Sequence, residues 1–262
     1  MLISSSSNPQ IKQIAAMLKK TKARNEADAY IVEGIRMVRE IPEADLEQIY
    51  ISEAFANGHP EWQNKAITVT DKVFKTMSDT ATPQGILAVA KQKHYTLEYI
   101  LKTAAGQPLF LILESLQDPG NLGTMLRMAE GAGVTGLIMN RETVDVYNPK
   151  VVRSTMGSIF RVPFVYADDL KGTLKQLQAG GMQLFAAHLK GKGYHFDVSY
   201  TGASGVLIGN EAAGLSDEIS DMADTYIRIP MDGQVESLNA AMAATIIMYE
   251  AKRQRILSIN NE

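Results

Sequence analysis

What most constrains the fold of this chain is the uninterrupted apolar run Leu109-Phe110-Leu111-Ile112-Leu113 and the alternation that follows it. A strand that is apolar at every position has both faces buried, as parallel strands do when helices cover each side of a sheet. Downstream, 121–132 carries helical spacing and 136–139 reads as a strand. Helical patterns at 148–157 and 168–178 then alternate with strands at 163–166, 182–187, 206–208 and 225–229. A long alanine- and methionine-rich helix, 237–255, closes the series. Strands alternating with helices predict an α/β fold with a mostly parallel sheet.

A separate, smaller α/β unit precedes it. Asn8-Pro9 reads as an N-cap followed by proline at the first helical position. Ile11, Ile14, Ala15 and Leu18 recur at helical spacing behind it. Short strands at 30–32, 48–51, 66–69 and 86–90 alternate with helices at 34–41 and 71–78. The polar, weakly patterned stretch 91–107 reads as a connection. The predicted organisation is therefore a domain over 1–95, a linker over 96–107 and a larger domain over 108–262.

Charge adds a partner class. The net charge is −3, yet Lys12, Lys19, Lys20, Lys22 and Arg24 fall in the first twenty-four residues without an acid among them. Such a stripe serves as an RNA contact on an otherwise acidic molecule, or simply as a solvated helix face. The chain has no cysteine, which removes disulfides and thiolate chemistry and fits a reducing cytoplasm. No apolar run is long enough for a membrane span, so no membrane partner is expected.

One tempting motif is set aside. Gly131-Ala132-Gly133-Val134-Thr135-Gly136 has the dinucleotide spacing, but its glycines close a helix and precede a strand, the reverse of the required context.

Three other segments carry the chemistry. The first, Asp118-Pro119-Gly120-Asn121-Leu122-Gly123 with Arg127, leaves the C-terminal end of a buried strand, where open α/β sheets bind ligands. The second is Asn148-Pro149-Lys150-Val151-Val152-Arg153-Ser154-Thr155-Met156-Gly157. The third is Gly209-Asn210-Glu211-Ala212-Ala213-Gly214-Leu215, continued by Ile229-Pro230-Met231 and Glu236-Ser237-Leu238-Asn239. Glycines at a sheet edge let backbone approach a ligand, and Ile229 and Met231 offer apolar walls for a flat ring. Ser237 and Asn239 stand where the last helix begins and donors are free, Ser237 as an N-cap or as a ligand to a bound molecule. On these grounds alone the chain is a cofactor-binding α/β enzyme.

Together, in this order and spacing, the three segments resemble the signature motifs of the SpoU (TrmH-like) family of the SPOUT superfamily, over about residues 109–255. The resemblance implies S-adenosylmethionine as cofactor, methyl transfer to a ribose 2′-oxygen of RNA, a deep trefoil knot in the C-terminal domain and a homodimer. It places Asn121, Arg127, Glu211 and Asn239 in the active site and Gly209, Ile229 and Leu238 against the cofactor, with Met231 and Ser237 beside them. Arg127 is expected to orient the 2′-oxygen and stabilise its developing charge, because a guanidinium stays protonated. Arg153 is expected to bind a phosphate next to the target.

The N-terminal half is similar, more faintly, to the ribosomal-protein-like α/β sandwich that often precedes this catalytic domain. That similarity rests on Asn8-Pro9, Glu33-Gly34 and Thr82-Pro83-Gln84-Gly85-Ile86. It favours ribosomal RNA, 23S in particular, over tRNA. A tRNA 2′-O-methyltransferase and a non-catalytic RNA-binding assembly factor are the alternatives. His59, His94, His188 and His195 share no metal-ligand spacing, so no metal is expected.

Overall fold

The computed structural model describes residues 2–235 and 237–259; Glu236 of the third segment lies outside them. The chain divides into two compact units, one of residues 1–93 with 145–160, the other of 94–144 with 161–262.

In the first unit the chain runs β1 (Leu2–Ile3), α1 (Pro9–Lys19), α2 (Thr21–Ala27), β2 (Ala29–Glu33), α3 (Ile35–Glu40) and β3 (Leu46–Ser52). It continues through α4 (Glu53–Gly58), β4 (Ile67–Val69), α5 (Asp71–Thr76) and β5 (Ile86–Lys91). The sheet order is β1-β4-β3-β5-β2, parallel from β1 to β3 and antiparallel across β5. Asn8 caps α1 as its sequence predicts, its side chain accepting from the Gln10 amide at 2.9 Å, a contribution of about 1 kcal/mol. Ile11, Ile14 and Met17 on the inner face of α1 pack against Ile31, Tyr50 and Leu87 of the sheet.

The second unit opens on α6 (Leu97–Thr103) and β6 (Leu109–Leu113), then α7 (Pro119–Ala132) and β7 (Gly136–Asn140). The excursion 145–160, carrying α8 (Pro149–Ser154), belongs to the first unit. The second unit resumes with β8 (Phe164–Ala167), α9 (Leu170–Ala179), β9 (Gln183–Ala187), β10 (Gly193–Tyr194) and β11 (Ser204–Ile208). It ends in α10 (Asp217–Ser220), β12 (Thr225–Arg228) and α11 (Ala240–Ile259). The sheet order is β10-β12-β9-β11-β6-β7-β8, and every pairing is parallel. Leu109–Leu113 is fully buried at its centre, as an apolar run with helices on both faces must be. No helix among the described residues is long and apolar enough to cross a membrane.

Three expectations shift. The stretch read as a linker holds α6, capped by Thr96 and anchored by Ile100, which is 1% exposed in the core of the second unit. The second sequence segment sits in the first unit rather than the larger domain. There Tyr147 packs against Tyr30, ring centres 4.5 Å apart and tilted by 37°, and accepts from the Lys93 amide at 2.6 Å. The last helix starts at Ala240, three residues later than its pattern implies, because Asn239 rather than Ser237 caps it.

Candidate functional site

β6 and β11 are neighbours in register, Leu113 opposite Ile208, so the loops 114–118 and 209–214 emerge side by side at the C-terminal edge of the sheet. Ser115 adopts a left-handed backbone, φ 56°. It is held there by Asn140, whose Oδ1 accepts the Ser115 amide at 2.7 Å and whose Nδ2 donates to Ser115 Oγ at 2.9 Å. Asn210 donates to the Ser115 carbonyl at 2.8 Å. Its Oδ1 accepts the amides of Ala212 and Ala213, which curls the loop and puts Glu211 at the tip.

The Glu211 carboxylate ties the first segment to the third. It accepts from the Gln117 amide at 3.1 Å, the Asp118 amide at 2.8 Å and Asn121 Nδ2 at 3.0 Å. Asn121 in turn accepts from Asn239 Nδ2 at 2.9 Å, while Asn239 Oδ1 caps α11. Asp118, not Asn121, caps α7. The Asn121 side chain is thereby left to bridge Glu211 and Asn239. Partial burial pushes the Glu211 pKa up, but the hydrogen bonds from Asn121 and the two amides outweigh it and hold the carboxyl below its ordinary 4.5.

Beside this chain of contacts lies a cavity of about 280 Å³. Gly209, Glu211, Ile229, Met231, Ser237 and Leu238, all singled out in the sequence, line it. Ile208, Leu215 and Ile247 add apolar wall. At Gly209 a Cβ would stand 2.1 Å from the backbone of Gly214 and Leu215, so only glycine lets the loop fold back this closely. Apolar walls, glycine-opened backbone and a carboxylate at the rim suit a nucleoside carrying a charged tail, and S-adenosylmethionine has that chemistry.

Part of the wall lies outside the three segments; of it, only His188, which follows a strand on the cofactor side, stands out in the sequence. Ala187, Leu189 and Arg228 also line the cavity, as does His188, which accepts from the Lys190 amide at 3.0 Å and stacks on Tyr226. Their positions just beyond or at the ends of β9 and β12 were the available signal.

The cations divide. Arg127 lies exposed on α7 and, among the described residues, makes no hydrogen bond or ion pair; it joins none of Asn121, Glu211 and Asn239 by contact. Lys12, Lys19, Lys20 and Lys22 are exposed. Arg24 corrects the basic-stripe expectation: it is 3% exposed and spends its guanidinium on Asp145, at 3.0 Å from Nε, and on the Met17 carbonyl. A side chain so buried and paired is an internal anchor, unavailable to phosphate. Arg153 donates to Asp79 at 2.9 Å through Nη2, while Nη1 is buried with no partner among the described residues.

Residues 108–249 match the model of the SpoU rRNA Methylase family. The chain belongs to the SpoU rRNA methylase family. Residues 8–88 of this SpoU protein match a second model, the MRM3-like substrate binding domain. Among its relatives is the Bacillus subtilis (strain 168) 23S rRNA (guanosine(2553)-2′-O)-methyltransferase RlmP, 29% identical over 95% of this chain and 98% of that one. The 23S rRNA (uridine(2479)-2′-O)-methyltransferase of Streptomyces viridochromogenes is 30% identical over 96% and 92%. The crystal structure of the SpoU methyltransferase AviRb from the same organism, in complex with AdoMet, superposes with a TM-score of 0.84 over 95% of this chain and 98% of that one, at 29% identity. The A. aeolicus TrmH/SpoU tRNA modifying enzyme, 28% identical, matches 58% of this chain and 77% of its own, with a TM-score of 0.52.

Proposed function

We propose that this SpoU protein transfers the methyl group of S-adenosylmethionine to a ribose 2′-hydroxyl of 23S ribosomal RNA. The observation that carries the reading is the Glu211–Asn121–Asn239 chain of hydrogen bonds closing beside the cavity. It fixes the start of α7, and with it the helix that presents Arg127.

When bound, S-adenosylmethionine supplies an electrophilic methyl. The apolar wall and the Gly209 backbone hold the nucleoside end. Arg127, exposed and without a partner among the described residues, donates hydrogen bonds to the target 2′-oxygen, orients it and stabilises the charge it develops as the hydroxyl proton passes to water. Positioning of this kind supplies roughly 7–11 kcal/mol at best in well-oriented reactions. Glu211 keeps its proton off and its hydrogen bonds on, so that Asn121 does not swing. Arg153, with one arm on Asp79 and one unpartnered, contributes a phosphate contact, and the exposed Lys12, Lys19, Lys20 and Lys22 extend it.

Met242, Ile246, Tyr249 and Ile256 form an exposed stripe at helical spacing along α11, and this is the face on which a homodimer would close. Arg255 near the end of α11 donates to the carbonyls of Gln107, Pro108, Tyr200 and Gly202, which fastens the end of the C-terminal segment that the family's trefoil knot would thread.

Ribosomal RNA is favoured because relatives matching nearly the whole chain are named for 23S rRNA, whereas the tRNA-modifying neighbour matches little more than half. The test offers labelled S-adenosylmethionine with separated 23S rRNA, 16S rRNA and tRNA. Label in 23S rRNA alone is expected; label confined to tRNA would overturn the substrate assignment.

A further inference from the structure

We propose that the loop leaving β9, Lys190-Gly191-Lys192-Gly193-Tyr194-His195-Phe196, is a stacking platform for a single-stranded RNA segment beside the cavity. The inference rests on RNA being the substrate, as argued above, and assigns a surface to it that the three sequence segments do not include.

The platform is built outward from the cavity wall. Arg228, a lining residue, ends β12, and β10 pairs with β12 so that Tyr194 stands opposite it. The guanidinium lies 5.0 Å from the centre of the Tyr194 ring. Tyr194 lies 5.3 Å from Phe196 at an angle of 32°, and Phe196 is 48% exposed. Cation, ring and ring thus run from the cavity mouth to solvent.

Lysines flank this row. Lys190 approaches only Asp217, at 3.8 Å with both side chains more than 70% exposed, a contact of little energy. Lys192 makes no ion pair among the described residues. The one acid inside the turn, Asp197, is occupied by the Tyr194 amide at 2.9 Å.

An exposed ring, Phe196, backed by the half-buried Tyr194 and set among cations, fits a base that is already unstacked, because every base has a face and the backbone beside it has phosphates. A duplex hides those faces, so the surface selects single strand over double strand. A ribose 2′-oxygen must approach the methyl carbon in line to attack it, and where that nucleotide is splayed out its flanking bases need somewhere to stack.

The test uses the whole protein, with the cavity filled by S-adenosylhomocysteine, and a labelled short RNA of mixed sequence as single strand or as duplex. Phe196→Ala is expected to weaken single-strand binding roughly tenfold, the scale of one lost base stack. Replacing Lys190 and Lys192 together by alanine is expected to lower the salt dependence of single-strand binding by about 1.4 in log–log slope. Duplex binding and S-adenosylmethionine affinity stay at the parent's level in both.

Trp62 is the sole tryptophan. Phe196→Trp in a Trp62→Phe background therefore reports stacking directly, as quenching of the indole by the single strand. Parent-level single-strand binding in both variants with an unquenched indole overturns the platform. Loss of S-adenosylmethionine binding in Phe196→Ala also overturns it, since the ring would then be cavity wall. Methyl transfer by the parent protein is scored separately: quenching without transfer to any RNA keeps the platform and removes the transferase reading.

Discussion

Glu211 and Asn121, 90 positions apart in sequence, meet through a 3.0 Å hydrogen bond that joins the first sequence segment to the third. The carboxylate also takes two amides of the turn before α7. Removing either partner therefore leaves the other's hydrogen-bonding groups to water.

A double-mutant cycle measures this link. Asn121→Ala and Glu211→Gln are each expected to lower unfolding stability by about 1 kcal/mol. Their coupling should be at the low end of roughly 0.5–3 kcal/mol, because Glu211 faces solvent. Denaturant unfolding of the four proteins checks it, and additive losses would mean that the bond holds nothing.

The same carboxylate sets a pH dependence. Its pKa is lowered by folding, so the stability it contributes is fully present above the ordinary value of 4.5 and is lost as pH falls through the lower folded value. Thermal melts from about pH 6 down to about pH 3 should show wild type losing stability more steeply than Glu211→Gln. Parallel curves would place the titration elsewhere.

Gly209→Ala tests the cavity. The added methyl meets backbone at 2.1 Å, which cannot turn aside as a side chain can, so the 209–214 loop must open. Overpacking of about 1–3 kcal/mol predicts a fall in S-adenosylmethionine affinity of roughly 5- to 150-fold, measured by titration calorimetry. Unchanged affinity would place the cofactor outside this cavity.

The apolar stripe on α11 predicts assembly. Wild type should sediment as a dimer and Tyr249→Glu as a monomer of the same helical content, since a buried unpaired carboxylate is costly. A wild type that is monomeric at all concentrations would leave Met242, Ile246 and Tyr249 without a partner.

Much of this architecture is legible because it is local: the run Leu109–Leu113 announces β6 and Asn8-Pro9 announces α1. Asn121, Glu211 and Asn239, which the structure joins, are singled out by the resemblance of the three segments to the SpoU motifs. What escaped is non-local. Periodicity marks Arg24 as charged but not as the buried partner of Asp145, 121 positions away. α6 went unread because its polar stretch anchors through Ile100 as its one buried side chain. The support beneath the site, Asn140 holding Ser115 in a left-handed turn, joins residues 25 apart that belong to none of the motifs.

Arg127 is the residue proposed to serve transfer to a ribose oxygen. The most direct measurement follows labelled methyl from S-adenosylmethionine into 23S rRNA with wild type and Arg127→Ala, digesting the product to nucleosides. The account predicts label in a 2′-O-methylnucleoside, with turnover lowered roughly 10²- to 10³-fold in the variant while cofactor affinity and melting temperature stay unchanged. Label on a base, or an Arg127→Ala protein as fast as wild type, would contradict it.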